Sequence, residues 1–181
     1  MADAQVKLPN VAGVATPSKA LVPPPHPPIP PKTVNAAYPG YTLAVKHGLV
    51  VLVPPARPPR PIPPIPPIPP HNEWKREDRE DIRDAEGRPA FALVNHTEQA
   101  HTEQAIQRPA EESQPVRLVP YNHNRLDRSV LWTKKEVAEG FHINREVDNI
   151  ELVWDAVPIG TDIVVVVSKY NGAASQKWTI P

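Results

Sequence analysis

Residues 114–133 read QPVRLVPYNHNRLDRSVLWT. Two β-type runs, VRLVPYN at 116–122 and SVLWT at 129–133, flank a polar stretch. The junction is turn chemistry: proline fixes φ, and asparagine tolerates the left-handed region. The same grammar continues outward in AFALVN (90–95), GFHINREV (140–147), NIELVW (149–154), DIVVVV (162–167) and QKWTI (176–180). Short β-rich runs, evenly spaced by turn signals and without a ten-residue helical period, predict an all-β fold. The run IVVVV at 163–167 does not alternate, so it predicts a strand buried on both faces. Upstream, YTLAV and LVVLV surround Lys46-His47-Gly48 and predict a hairpin over 41–53.

A longer period lies over these runs. Trp74, Trp132 and Trp178 each close a segment, with separations of 58 and 46 residues. Three unequal repeats of about four strands, each ending at a tryptophan, predict a threefold barrel capped by hairpins. Those three tryptophans are expected in the core. Trp154, beside Asp155, is expected to face outward, because neighbours on a strand point to opposite faces. Glu73 to Gly87 (EWKREDREDIRDAEG) is dense in charge and reads as a solvated connector with a helical turn. HTEQA occurs at 96–100 and again at 101–105, a five-residue slip expected in a loop. A metal site of His96 and His101 would need further ligands that the spacing does not supply, so no metal or other cofactor is expected.

Composition separates two halves. Residues 1–70 hold 21 of the 27 prolines and carry a net charge of +5; residues 71–181 carry −5. Proline-rich chain cannot form ladders or helices, which predicts a disordered tail over 1–35 and a proline-rich loop over 56–70. The folded domain is then expected over 36–181. With no cysteine, disulfide frameworks and thiol chemistry are excluded. No long apolar run predicts a membrane span, and Met1–Val14 does not read as a signal peptide. No phosphate loop, zinc-protease or nucleophile-elbow motif is present, so the chain is not expected to be an enzyme. The basic half lacks Lys/Arg clusters and interleaved aromatics, which argues against nucleic acid as a partner.

FALVN (91–95), QPVRLVPYN (114–122), LDRSVLWT (126–133) and QKWTI (176–180) together resemble the Euonymus-type lectin domain. So does the pattern Phe141, Arg145, Val147, Asn149-Ile150, Leu152, Asp155-Ala156, with YTLAVKHGLVVLVPP (41–55) similar to the family's first hairpin. The resemblance implies a plant ricin-B-like β-trefoil: a nucleocytoplasmic, stress-related lectin for mannose-rich or galactosylated glycans. The sequence departs from the family pattern at His47, where an acid is usual, and at Ser175, where an asparagine is usual. The loop after Asp155 has shortened to Val157–Gly160, and the aromatic-rich strand keeps only Tyr170.

Sugar recognition needs an aromatic face and charge-assisted hydrogen bonds to hydroxyls. In the third repeat, Asp155, Tyr170, Ser175 and Gln176 offer a carboxylate, a platform and an amide. The competing reading has Asp155 capping a turn and Gln176 tying down the fold. Tyr121, Asn122 and Asp127 could form a second candidate site, but the turn chemistry of Pro120-Tyr121-Asn122 favours a plain turn there. The alternative function is a protein-interaction adaptor that has lost sugar binding. Its motif is Arg60–Pro66 (RPIPPIP), which suits an SH3- or WW-type groove because polyproline II is preformed.

Overall fold

The computed structural model describes residues 33–55, 73–97, 102–138 and 140–180. The expectations for residues 1–32, the proline loop 56–70 and the Arg60–Pro66 motif lie outside the described residues, as does His101. Among the described residues no helix is long and apolar enough to cross a membrane.

Among the described residues, twelve strands form three sets of four. The first holds β1 (Val34–Asn35), β2 (Thr42–Lys46), β3 (Leu49–Val53) and β4 (Glu73–Arg83). The second holds β5 (Pro89–Thr97), β6 (Thr102–Gln107), β7 (Arg117–Pro120) and β8 (Trp132–Ala138). The third holds β9 (Phe141–Glu146), β10 (Leu152–Ile159), β11 (Asp162–Lys169) and β12 (Trp178–Thr179). The first and last strands of the sets pair around a barrel: β4 with β5, β5 with β8, β8 with β9, β9 with β12, and β12 with β1. The middle strands form hairpins that cap it. The hairpins touch one another where Leu49 meets Arg117, Val51 meets Val164 and Pro115 bridges Val166. This is the β-trefoil the sequence predicts.

One bond repeats in each set. Trp74 Nε1 donates to Leu43 O (3.0 Å), Trp132 Nε1 to Ile106 O (2.9 Å) and Trp178 Nε1 to Trp154 O (3.1 Å). Each indole thus fastens the start of its barrel strand to its own cap hairpin. Trp132 and Trp178 are fully buried, whereas Trp74 is half-buried against the core. Around them pack Phe91, Leu93, Val165 and Val167. Val164 and Val166 join a separate cluster with Ala44 and Val51, so the valine run is buried on both faces.

Three expectations are corrected. Trp154 does not face outward: it is fully buried, edge-on between Trp132 (5.1 Å) and Trp178 (5.9 Å). Alternation holds, but Trp154 takes the inward phase and Asp155 the other. The charged segment after Glu73 is a strand, not a connector. Its backbone pairs with β5 from Glu73 to Arg79. Its charges are accommodated in pairs such as Arg76 with Asp78, and Arg76 also lies 5.2 Å over the Phe91 ring. The HTEQA duplication falls in a hairpin rather than only in a loop. Asn95, His96 and Thr97 pair with Gln104, Glu103 and Thr102, and Ala105 is buried.

Asp84, at the β4–β5 turn, accepts from Thr133 Oγ1 (2.9 Å) and the Arg88 amide (2.9 Å), and is paired with Arg145. Both side chains are almost wholly buried. Burial pushes the Asp84 carboxyl up, but the bonds from Arg88, Thr133 and Arg145 outweigh it and hold the group below its ordinary value. Removing one member of a buried ion pair leaves the other uncompensated. Asp84→Asn is expected to cost about 3 kcal/mol in chemical denaturation. Because the folded pKa is depressed, this stability is present above the ordinary value of 3.8 and is lost as pH falls through the folded one. The variant should therefore show a flatter acid limb.

The β2–β3 hairpin turns on His47 (φ 52°) and Gly48 (φ 77°), both left-handed. Such turns favour Asn-Gly, because a short polar side chain tolerates positive φ. His47→Asn is expected to raise stability by about 0.5–1 kcal/mol, read as a higher melting temperature.

Candidate functional site

The three indole bonds give a common origin for comparing the repeats. The acceptors Leu43, Ile106 and Trp154 lie opposite Leu52, Leu118 and Val167 in their hairpins. The residue after each acceptor is Ala44, Gln107 or Asp155. One residue beyond the opposite position stand Val53, Val119 and Ser168; three beyond stand Pro55, Tyr121 and Tyr170. The backbone confirms the match of the last two. Tyr121 N donates to Glu103 O (2.8 Å) and Tyr170 N to Glu151 O (3.1 Å), each acceptor three residues before its indole-bound carbonyl. The next residues, Asn122 and Asn171, each accept the amide two residues on at 2.9 Å. The two candidate sites are therefore the same place in successive repeats.

Repeat 3 carries the fuller set of polar groups. Asp155 is 8% exposed, and its Oδ2 accepts from Ser168 Oγ (2.8 Å) and Gln176 Nε2 (3.0 Å). Its Oδ1 is buried without a hydrogen-bond partner among the described residues. Gln176 is fully buried and also donates to Ser168 Oγ (3.1 Å) and Lys169 O (2.9 Å), while its Oε1 accepts from Asn171 N (2.9 Å). Every polar atom of that amide is used internally, so Gln176 orients Asp155. Tyr170 is 43% exposed. Ser175 is half-buried, and its carbonyl accepts from Asn35 Nδ2 (2.8 Å). Sequence reasoning missed Ser168 and Asn171. The Tyr-Asn dipeptide at 121–122 and 170–171 was the signal that would have found Asn171.

Repeat 2 has the tyrosine without the carboxylate. Gln107 stands where Asp155 does, and its Nε2 donates to Ser129 Oγ (2.9 Å). Asp127 is not brought to Tyr121 by any bond: it caps the 3₁₀ turn Arg128–Val130 by accepting from Ser129 N (2.9 Å) and Oγ (2.6 Å). Asn122 closes its own turn. Tyr121 OH accepts from Arg79 Nη2 (3.2 Å), and the His123 ring meets the tyrosine edge-on at 4.9 Å. Repeat 1 has Ala44, Val53 and Pro55 and no polar side chain at these positions.

His123 is clamped by two strands. Its Nδ1 lies 3.0 Å from Glu77 Oε2 on β4, and its Nε2 bonds Glu103 on β6. Glu103 also lies near His96 Nδ1 at 3.7 Å. The bond to Glu103 raises the imidazole above its ordinary value of 6.5; partial burial opposes this, and the Glu77 charge adds to it. A raised folded pKa means the clamp's stabilisation is full below 6.5 and is lost as pH rises through the folded value. In His123→Gln the dependence of melting temperature on pH across that window is expected to flatten, and in the wild type the His123 ring resonances should titrate late.

The chain matches no protein-family model. It is 38% identical over 167 residues to the ricin B-like lectin R40G3 of Oryza sativa subsp. japonica, covering 87% of this chain and 74% of the relative. It is 31% identical over 159 residues to the ricin B-like lectin EULS3 of Arabidopsis thaliana, covering 82% of this chain and 46% of that one. Among solved structures it is similar to the designed threefold-symmetric protein ThreeFoil, with TM-score 0.55, 16% identity, and coverage of 82% and 94%. The ligand-binding domain of botulinum neurotoxin serotype D, solved with N-acetylneuraminic acid, gives TM-score 0.53 at 13% identity, with 82% and 39% covered. The structural likenesses carry the fold alone: a β-trefoil of three four-strand repeats. The sequence relatives go further, and the chain belongs to the ricin B-like lectin family.

Proposed function

We propose that the chain is a non-enzymatic, carbohydrate-binding lectin of the cytoplasm and nucleus that takes its glycan at the third repeat. The observation that carries the reading is the spare acceptor at Asp155. Its carboxylate is fixed by Ser168 and Gln176 through one oxygen while the other has no partner among the described residues, and the exposed Tyr170 precedes Asn171, whose amide is bonded to the same Gln176. A fixed carboxylate accepting from vicinal hydroxyls and an aromatic face for the sugar ring are the groups such recognition requires. In this reading Gln176 and Ser168 position the carboxylate, Ser175 and Asn171 border the site, and Tyr170 is the platform. Repeat 1 has lost all three polar positions, and repeat 2 offers an amide in place of the acid. Mannose-rich or galactosylated glycans, in a stress-related role, are the range implied by the family resemblance.

Asp155→Ala and Tyr170→Ala are each expected to abolish binding on a glycan array while the far-ultraviolet spectrum is kept. Loss of a charged acceptor costs roughly 1.5–3 kcal/mol, about tenfold or more in affinity. If both variants bind as the wild type does, the site is elsewhere. The erosion of the site positions in repeats 1 and 2 favours one second reading, an adaptor that works through the Arg60–Pro66 motif. It takes precedence if the wild type binds no glycan while a peptide of residues 57–70 retains an SH3 or WW domain.

A further inference from the structure

The barrel ladders run on past the three tryptophans, away from the cap hairpins, and there the repeats differ. Side chains two residues apart on a strand share a face. Two residues beyond Trp74, Trp132 and Trp178 stand Arg76, Lys134 and Ile180. Across the β4–β5 ladder the register sets Arg76 opposite Leu93 and Asp78 opposite Phe91. Across β8–β9 it sets Lys134 opposite Asn144 and Glu136 opposite His142. The two ladders therefore correspond residue by residue. Where the first puts Leu93 and Phe91 into the core, the second puts Asn144 and His142.

The second ladder is polar without being satisfied. Asn144 is fully buried, and neither atom of its amide has a hydrogen-bond partner among the described residues. His142 Nδ1 is likewise buried and without a partner there. Lys134 makes no hydrogen bond or ion pair among the described residues. Burial holds its ammonium below the ordinary lysine value; the Arg76 charge adds to this, and Asp78 opposes it. Burial, then the charges of Lys134 and Arg76, hold the His142 imidazole below its ordinary value, against Glu136. Lys134, Arg76 and His142 thus feel one another at the same end of the barrel. Arg76 is itself engaged, over the Phe91 ring and with Asp78. A buried cation without a counter-ion is costly, and so is a buried amide without bonds, at a position that the neighbouring ladder fills with leucine.

The groups present define what would relieve both. Lys134 offers only donors, whereas the Asn144 amide offers two donors and an acceptor. The complement is an anion that also carries a hydroxyl: its oxygens accept from Lys134 and Asn144 Nδ2, and its hydroxyl donates to Asn144 Oδ1. Asp78 and Glu136, exposed at the rim, repel a polyanion. The complete burial of Asn144 favours a small ion. We propose that the end of the barrel remote from the caps binds one hydrogen phosphate ion, held by Lys134 and Asn144, with Arg76 adding its charge and His142 lining the site. The site goes beyond the glycan reading and shares no residue with it.

Inorganic phosphate titrated calorimetrically into the full chain near neutral pH, at constant chloride, tests this. Saturable one-to-one binding is expected. Sulfate has the charge without the hydroxyl and leaves Asn144 Oδ1 unpaired, so it should bind about tenfold more weakly. Asn144→Leu, the residue of the corresponding position on β5, should abolish phosphate binding and raise the melting temperature of the free protein. Phosphate should raise the melting temperature of the wild type and not of this variant. Lys134→Met should weaken phosphate by about tenfold or more. Lys135→Met, the same change of charge on the opposite face of β8, should leave it unchanged. The comparison of the two lysine variants decides the matter even if Asn144→Leu misfolds. No saturation at millimolar phosphate overturns the proposal. So does equal binding of sulfate, which would mark unselective counter-ion capture, and so does equal weakening by Lys135→Met, which would mark diffuse attraction. Tighter binding of glycerol phosphate, a monoester, overturns it in favour of a phosphorylated ligand.

Discussion

The bond from an indole N–H to the carbonyl of a cap strand, made three times, is the constraint on which the rest of this molecule hangs. It is geometrically strict, since an indole has one donor and must place it while its ring fills the core. By fixing where each barrel strand begins relative to its hairpin, it sets the phase of every residue that follows. Asp155 faces away from the core because the residue before it supplies the carbonyl. Gln176 reaches Asp155 because it lies two residues before the indole that takes that carbonyl. The candidate positions are thus placed by core packing, so the same scaffold serves repeats with and without polar side chains there.

The three repeats differ in a graded way. Repeat 1 has only apolar residues at the three comparable positions, repeat 2 keeps the tyrosine and its asparagine turn, and repeat 3 adds the acid and its two supports. In repeat 2 the tyrosine lies in a different network, with Arg79, His123, Glu77 and Glu103 joining three parts of the chain.

The fold was legible in the sequence wherever period-two patterning and tryptophan spacing coincided. It was illegible at β4, where eleven residues contain nine charges and the strand exists because β5 offers it a ladder. Neighbouring backbone can override composition, and nothing local in EWKREDREDIR announces that. Trp154 was misassigned because alternation fixes the relation between neighbours and not which of them is inside. The meeting of Asp155 and Gln176 was legible through their motif. The division of labour among them was not, because it rests on which atoms of Gln176 are already spent. Ser168 gave no signal, being a small residue at the end of a valine run.

The seam that joins the first repeat to the third is short. β1 and β12 contribute two residues each, supported by Ala36 N to Lys177 O (2.9 Å) and by the Asn35 side chain on Ser175 O. Asn35 and Ser175 are 140 residues apart, so this contact repays its loop entropy late. Small cooperative units of this kind open well below the global unfolding free energy. The margin of the third repeat is therefore expected to open before the rest of the barrel, and the segment that carries Ser175 and Gln176 with it. If the Asp155 site takes a glycan as proposed, a ligand that holds the segment down would slow amide exchange at Asn35 and Ala36, on the far side of the seam.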